Sequence, residues 1–460
     1  MRTRTPSLFL LLALAALWVG MLLGVISAFQ FLYPDKLLVR IPFQQIRPMH
    51  VTLVISWILV AAAGGIYYYL PGISSRRVSG MLPSVHFALF LLTGLMIPVA
   101  YLLGKFSGRE YLEFPALLIA PIFLGWILFA IHFFRNAPLH GNMPVYLWQW
   151  MTGAIFILIT LTEAYLWLIP FFRDNVVRDI TVQWKSYGAI IGSWNMFVYG
   201  TAMFIMCRIS GNDKVARTPM AYFLYFVGLT NLMFNWGHHT YIVPAAEWIK
   251  HIAYIVSMTE LVILGWIIWN WKGTLTTAQK TLHFMPYRLL LASEIWIFLN
   301  LILALLISIP ALNVYTHGTH VTVAHAMGAT IGINTMILLG SVAFILFEKQ
   351  SNRFGRSARS VNAGVILSNL SLAVFWICLI VAGVRKGIIT YRSPEVPYRA
   401  ILDHIAPPLF IFSVAGVVMF VGFTLVVVPM LRTFMLKEPA PSALPGDEPV
   451  LDPAGPQAAQ

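Results

Sequence analysis

The stretch Thr319-His-Val-Thr-Val-Ala-His325-Ala-Met327-Gly-Ala-Thr-Ile-Gly-Ile-Asn-Thr-Met-Ile-Leu-Leu-Gly-Ser-Val-Ala-Phe-Ile-Leu346 contains no Asp, Glu, Lys or Arg. Its apolar run is long enough to cross a hydrocarbon core of roughly 30 Å as a helix. It also carries a histidine in its first third, where an ionisable group is costly unless it has a task. These two properties, a membrane-spanning length and a buried ligand-type side chain, recur along the chain.

Outward from this stretch, apolar runs of spanning length are expected near 7–33, 49–71, 81–104, 114–134, 143–171, 186–208, 219–243, 246–272, 284–309, 360–385 and 402–432, twelve in all with 319–346. Of 460 residues, 59% are hydrophobic and 10% charged, against about a quarter charged in a soluble domain. The expected fold is therefore an all-α, twelve-helix membrane bundle over 1–436. A Pro- and Ala-rich cytoplasmic tail over 437–460 is expected to be disordered. The first span follows Arg2 and Arg4 as a secretory signal would, but it runs too long and lacks a clear small-residue cleavage site.

Twelve spans place both termini on one side. Lys and Arg are somewhat more numerous there, in bare clusters such as Arg76-Arg77 and Lys349, Arg353, Arg356 and Arg359. On the other side they are mixed with Asp35, Glu110, Glu113, Asp174, Asp179, Glu247 and Glu395. The positive-inside rule then makes both termini cytoplasmic, and the net charge of +13 reads as topology rather than nucleic-acid binding. Cys207 and Cys378 are far apart, so no disulfide framework or thiolate metal site is expected, and no Cys-x-x-Cys-His string offers a covalent haem attachment. No internal repeat supports an inverted-repeat transporter.

With this topology His50, His238, His239, Glu260 and His325 all fall in the outer half of the membrane, from four separate spans. A single histidine in such a place is usually a hydrogen-bonded core residue; five polar groups in one layer indicate a site. In Trp236-Gly-His-His239 the adjacent rings would diverge by about 100° on a regular helix, so both can reach one metal only where the helix end frays. His325 and Met327, two residues apart, point to opposite faces and suit two different metals. Two haems flanking that helix would each find an axial ligand. Glu163 and Glu294 are further intramembrane acids, either relay members or paired groups.

Together the pieces Arg47-Pro-Met-His50 with Trp57, Gly65-Ile-Tyr-Tyr68, Gly108-Arg-Glu-Tyr-Leu-Glu113, Gly237-His-His239 with Glu260, and Tyr315-Thr-His-Gly-Thr-His-Val-Thr-Val-Ala-His325 make the chain resemble the haem-copper oxidase superfamily. Within it the likeness is to the cytochrome b subunit of nitric oxide reductase, and it spans nearly the whole chain. The His-Pro-Glu-Val-Tyr string of respiratory oxidases does not occur. The resemblance implies a low-spin haem b on His50, a high-spin haem b on His325, and a non-haem iron on His238 and His239 with Glu260 shaping the pocket or delivering protons. It further implies calcium near Glu110, a haem propionate paired with Arg109, a c-type cytochrome partner subunit, and reduction of two NO to N2O in a bacterial cytoplasmic membrane.

Two positions depart from the family pattern. Where a second haem ligand is usual, this chain has Met327, which can ligate iron through its thioether. On the sixth span, where the family has His and Glu for the non-haem iron, an ungapped register gives Tyr187 and Ile191, with Ser193, Asn195 and Tyr199 as other polar groups. Tyr187 is thus a candidate catalytic or ligand residue. The alternatives are an NO dismutase-like or oxygen-handling relative, and a non-catalytic haem b electron-transfer subunit without the second metal.

Overall fold

The computed structural model describes residues 4–34, 40–76, 78–272, 280 and 283–436, with the backbone alone over 260–272. The expected tail at 437–460 lies outside the described residues. Within the described residues all regular structure is helical, and ten helices are long and apolar enough to cross a membrane. Seven precede the first histidine pair: α1 Arg4–Leu32, α2 Phe43–Ile73, α3 Met81–Leu102, α4 Ile119–Asn136, α5 Val145–Glu163, α6 Val176–Ser210 and α7 Pro219–Phe234. After it come α8 Glu247–Lys272, α9 Phe284–Ser308, α10 His320–Gly355, α11 Ala358–Arg392 and α12 Tyr398–Met435.

Each expected span has its helix, and the differences lie at ends. Helix α6 begins ten residues before the expected 186, because Asn175 caps it by accepting from the Arg178 amide and its first turns are polar enough to stand clear of the apolar layer. Helix α7, capped by Thr218 with Pro219 in its first turn, stops at Phe234 and tightens into a 3₁₀ stretch, Asn235–Thr240. That is the fraying the adjacent histidines require. Helix α12 returns to pack on both α11 and α1, and Trp18 of α1 donates to Thr424 of α12 at 3.1 Å.

Helix α10 is the axis of the fold. Its first two turns, His320–Met327, are α-helical, and residues Gly328–Thr335 then widen into a π-helix before the α-helix resumes at Met336. Such segments often mark functional sites. Here glycine permits it: a Cβ on Gly328 would lie 2.3 Å from Asn300 Oδ1, and one on Gly332 2.4 Å from the Trp296 ring. Helix α9 thus leans into the widened turn. The Thr335 hydroxyl donates to the Thr330 carbonyl at 2.8 Å and accepts from Trp57 of α2 at 3.0 Å, while Asn334 donates to Asn195 of α6 at 3.1 Å.

The segment entering α10 is held from the other side by α11. A Cβ on Gly387 would lie 1.7 Å from the Tyr315 carbonyl oxygen, and one on Gly383 2.3 Å from the Val321 nitrogen. Backbone meets backbone there, and nothing flexible can yield. The change Gly387→Ala is therefore expected to displace residues 315–321 and to destabilise the protein by about 1–3 kcal/mol, the usual cost of overpacking. Gly94→Ala, where a methyl meets open space, serves as control. Thermal unfolding in detergent, followed by circular dichroism, should separate the two.

Candidate functional site

A cavity of about 1040 Å³ runs through the middle of the bundle, walled mostly by apolar side chains. His50, His238, His239, His325, Met327 and Tyr187 all stand on its wall. Four of the groups that the sequence reading expects in one layer, His50, His238, His239 and His325, thus line one cavity, together with Met327 and Tyr187. Glu260 is on α8, and its side chain lies outside the described residues.

His50 is fixed by α1. Its Nδ1 lies 2.7 Å from the Gly20 carbonyl oxygen, so Nδ1 carries the proton and donates, and Nε2 is left as the ligating nitrogen. Its ring lies where a Cβ on Gly24 would approach Cε1 to 2.7 Å, so only glycine fits beneath it. Met327 lines the same cavity from α10.

The second group forms around the 3₁₀ turn. The rings of His238 and His239 have centroids 4.2 Å apart, and His238 lies 6.5 Å from the His325 ring, nearly perpendicular to it. His238 Nδ1 is 3.2 Å from Asn235 Oδ1, which also accepts from Ser257 of α8 at 2.6 Å. The Ser257 hydroxyl thus points the Asn235 oxygen at the ring. The His238 backbone carbonyl accepts from Asn313 at 3.2 Å. His238 Nε2 and His239 Nδ1 are buried with no hydrogen-bond partner in the protein, the state expected of nitrogens that meet a metal.

Three side chains of this group were not singled out by sequence reasoning. Trp184 stacks face to face on His239 at 4.5 Å, with 6° between the planes. His317 stands 5.8 Å from His239 and edge-on to Trp184, with both ring nitrogens buried and unpartnered; burial lowers its pKa and keeps the ring neutral. Asn235 carries no signal in sequence beyond its place three residues before His238. His317 was visible in Tyr315-Thr-His-Gly-Thr-His, yet lay outside the apolar span.

Helix α6 presents Trp184, Tyr187, Gly188 and Ile191 to the cavity in place of a histidine or carboxylate. The Tyr187 hydroxyl is buried without a partner, and its ring meets Tyr111 edge-on at 5.9 Å. Ser193 is turned back on its own helix, donating to the Ala189 carbonyl at 2.7 Å. Among the described residues no three His, Cys, Asp or Glu side chains are grouped so as to hold a metal ion. His238 Nε2 and His239 Nδ1 remain the unpartnered nitrogens of the adjacent pair.

The loop 108–113 closes the cavity on the face opposite the termini. Gly108 is required there, since a Cβ would lie 1.6 Å from the Leu112 carbonyl oxygen, and Tyr111 adopts a left-handed φ of 69° that puts its ring on the cavity wall. Non-glycine residues take that conformation at a cost of order 1–3 kcal/mol when structure forces it. Arg47 bridges Glu110 at 2.7 Å and Glu113 at 2.6 Å. Arg109 pairs with Asp179 at 2.7 Å and lies over the Trp167 ring, away from the cavity wall. The residues expected at calcium and at a haem propionate, Glu110 and Arg109, thus each have a protein partner. Glu163 is ion-paired with Lys185.

Of the known families, Cytochrome C and Quinol oxidase polypeptide I matches residues 6–419. The chain belongs to the haem-copper oxidase subunit I family. This oxidase-family chain is 23% identical to a nitric oxide reductase subunit of Stutzerimonas stutzeri, with 88% of this chain and 90% of the relative covered. It is also 23% identical to the cbb3-type cytochrome c oxidase subunit CcoN1 of the same organism, over 92% and 93%. A heme-copper terminal oxidase dimer solved by cryo-EM superposes with a TM-score of 0.73 at 14% identity, covering 95% of this chain and 85% of that one. Membership makes the chain a multi-pass subunit of oxidoreductase class, in a family that binds haems and a second metal.

This geometry can be tested at the second-metal site and at the loop. Replacing the residue that orients His238, Asn235→Leu, should lower affinity for the second metal by about 10–100-fold, read by metal titration of the demetallated protein with haem content unchanged. At the loop, burial raises the pKa of Glu113, with Arg47 opposing. A raised folded-state carboxyl favours the folded protein at low pH and loses that contribution as pH rises from the ordinary carboxylate range through the raised value. Arg47→Ala removes the opposing charge, so the decline in thermal midpoint should extend to higher pH, and adding Glu113→Gln should abolish the extension.

Proposed function

We propose that the chain is the catalytic subunit of a nitric oxide reductase with an altered second-metal site. The observation that carries this reading is the α6 wall: where an oxidase needs a histidine joined to a tyrosine, the cavity meets Trp184, Tyr187 and Gly188, opposite an intact histidine pair. Likeness to the Stutzerimonas nitric oxide reductase chain over nearly its full length supports it.

In the overall reaction two NO, two electrons and two protons give N2O and water. One N–N bond forms, one N–O bond breaks, and the released oxygen takes both protons. His50 and Met327 would hold the low-spin haem b, His325 the high-spin haem b, and His238 and His239 the non-haem iron, with Tyr187 or Glu260 as further candidate ligands. When bound, these groups relay electrons and supply Lewis-acid sites for the two NO molecules. The chain's own residues orient and seal. Asn235 and Gly20 fix the ligating tautomers, Trp184 holds the His239 plane, and the apolar wall excludes water and favours the small neutral substrate. The Tyr187 hydroxyl supplies an O–H donor at the cavity. A periplasmic c-type cytochrome subunit is the donor, and the chain sits in a bacterial cytoplasmic membrane with both termini inside.

The equally full-length likeness to the cbb3-type chain favours oxygen reduction as a second reading. Both are tested on the purified protein with reduced cytochrome c, following NO and O2 electrochemically and N2O by gas chromatography. One N2O for every two NO is expected, lost in His238→Ala and His239→Ala with the His50-dependent haem spectrum retained. Oxygen uptake without N2O would replace this reading with the second, and turnover of neither gas would leave an electron-transfer subunit.

A further inference from the structure

Outside the cavity the bundle buries a second polar cluster that the proposed reaction does not use. Tyr67 of α2, His86 of α3 and His132 of α4 are all buried, near the helix ends on the face of the termini, and none of the three lines the cavity. Tyr67 belongs to the Gly65-Ile-Tyr-Tyr68 piece of the sequence, which the histidine site leaves without a role. Its hydroxyl is 2.9 Å from His86 Nδ1, and among the described residues it has no other hydrogen-bond partner. With Nδ1 as acceptor the phenol proton is satisfied and only the Nε2 N–H is left over. The opposite tautomer leaves both the phenol proton and the Nε2 lone pair unmatched, since Nε2 is buried without a partner. The phenol therefore donates to Nδ1, a tautomer assigned from this bond count.

Aromatic rings connect this pair to the cavity. Trp126 and Phe90 stand on the cavity wall and also pack on the His86 ring, with centroids 5.7 and 4.2 Å from it. Phe129 lies 5.4 Å from Trp126 and 5.3 Å from Tyr67, so it touches both. A Cβ on Gly125 would lie 2.7 Å from His86 Cδ2, and glycine there lets the His86 ring seat beside Trp126. Tryptophan and tyrosine are the aromatic side chains most readily oxidised by one electron, and a phenol yields its electron easily only when its proton has an acceptor. Here an indole on the cavity wall, a phenol behind it and an imidazole acceptor on that phenol form one packed chain of rings.

We propose that Tyr67, with His86 as its proton acceptor, is a redox site that drains one-electron oxidants from the cavity through Trp126. A peroxide-derived oxidant in the cavity takes one electron from Trp126, and the indole cation takes one from Tyr67. The phenol O–H breaks and its proton passes to His86 Nδ1. Trp126 is thereby restored, Tyr67 is left as a neutral phenoxyl radical and His86 as imidazolium. One electron from the external donor and return of the same proton restore the pair. Phe9, Phe90, Trp126 and Phe129 surround the imidazolium with centroids no more than 6.2 Å away, and aromatic faces stabilise a desolvated cation. Exclusion of water from this box protects the radical from side reactions. This chemistry needs haem in the cavity and is indifferent to which gas is reduced there.

The test treats haem-loaded wild type, Tyr67→Phe, His86→Phe, Trp126→Phe and Tyr187→Phe with hydrogen peroxide, freezes the samples and records EPR and ENDOR spectra. Haem optical spectra and circular dichroism before treatment control for cofactor and fold. Wild type is expected to give a tyrosyl radical with a proton coupling that disappears in D2O. Tyr67→Phe, which keeps the ring and its packing, should abolish that radical and let peroxide bleach the haem faster; His86→Phe should remove the exchangeable coupling, and Trp126→Phe should lower the radical yield. NO turnover, measured separately, should be unchanged in Tyr67→Phe, so the redox site and the assigned reaction stand or fall independently. No tyrosyl radical in wild type overturns the proposal, as does a radical that survives Tyr67→Phe or one that only Tyr187→Phe removes. A yield unchanged in Trp126→Phe overturns the route through the indole.

Discussion

Imidazole nitrogens buried without a protein partner need another partner, a metal ion or a water molecule. Leaving a buried polar atom unsatisfied costs about 1–3 kcal/mol. His238 Nε2, His239 Nδ1 and both nitrogens of His317 are all in that position. Several such nitrogens gathered in one cluster support the proposed metal site, since imidazole suits iron or copper. The surrounding contacts make sense on that basis: Ser257 orients Asn235, Asn235 orients His238, Trp184 fixes the His239 plane, and the Gly20 carbonyl selects the His50 tautomer.

The backbone is shaped to bring these rings together. The cavity-lining histidines come from α2, the turn after α7, and α10, and α10 carries His325 and Met327 on the cavity wall while remaining closely packed on both sides. Glycine solves this twice. Gly328 and Gly332 admit Asn300 and Trp296 of α9 where the helix widens, and Gly383 and Gly387 of α11 admit the backbone of the entering segment. The short α7 ends at Phe234, and its 3₁₀ continuation carries two adjacent histidines to the same cavity.

Hydropathy made the architecture legible, because spans of about 20 apolar residues leave few alternatives. Four cavity-lining groups were legible too: His50, His238, His239 and His325 stand out in the sequence as ionisable groups within apolar runs, and all four line one cavity. What hydropathy could not read was whatever lay in a loop or needed a three-dimensional partner. His317 sits just before the tenth span, Trp184 looks like any membrane aromatic, and Asn235 acts only through a fold in which Ser257 reaches it. The pairing of Arg109 with Asp179 joins residues 70 apart in sequence, and no local pattern announces it. Glu163 and Glu294 look alike as intramembrane acids; only the structure puts Glu294, and not Glu163, on the cavity wall.

With no histidine or carboxylate of α6 among the described cavity-lining residues, the proposed second metal would have two described protein nitrogens, so its presence is the point on which the functional account turns. Haem and non-haem metal quantification on the purified, detergent-solubilised protein tests it most directly. The account predicts two haems and one non-haem metal per chain, the metal lost in a His238→Ala, His239→Ala double variant with both haems retained. Two haems with no third metal in the wild-type protein would contradict it.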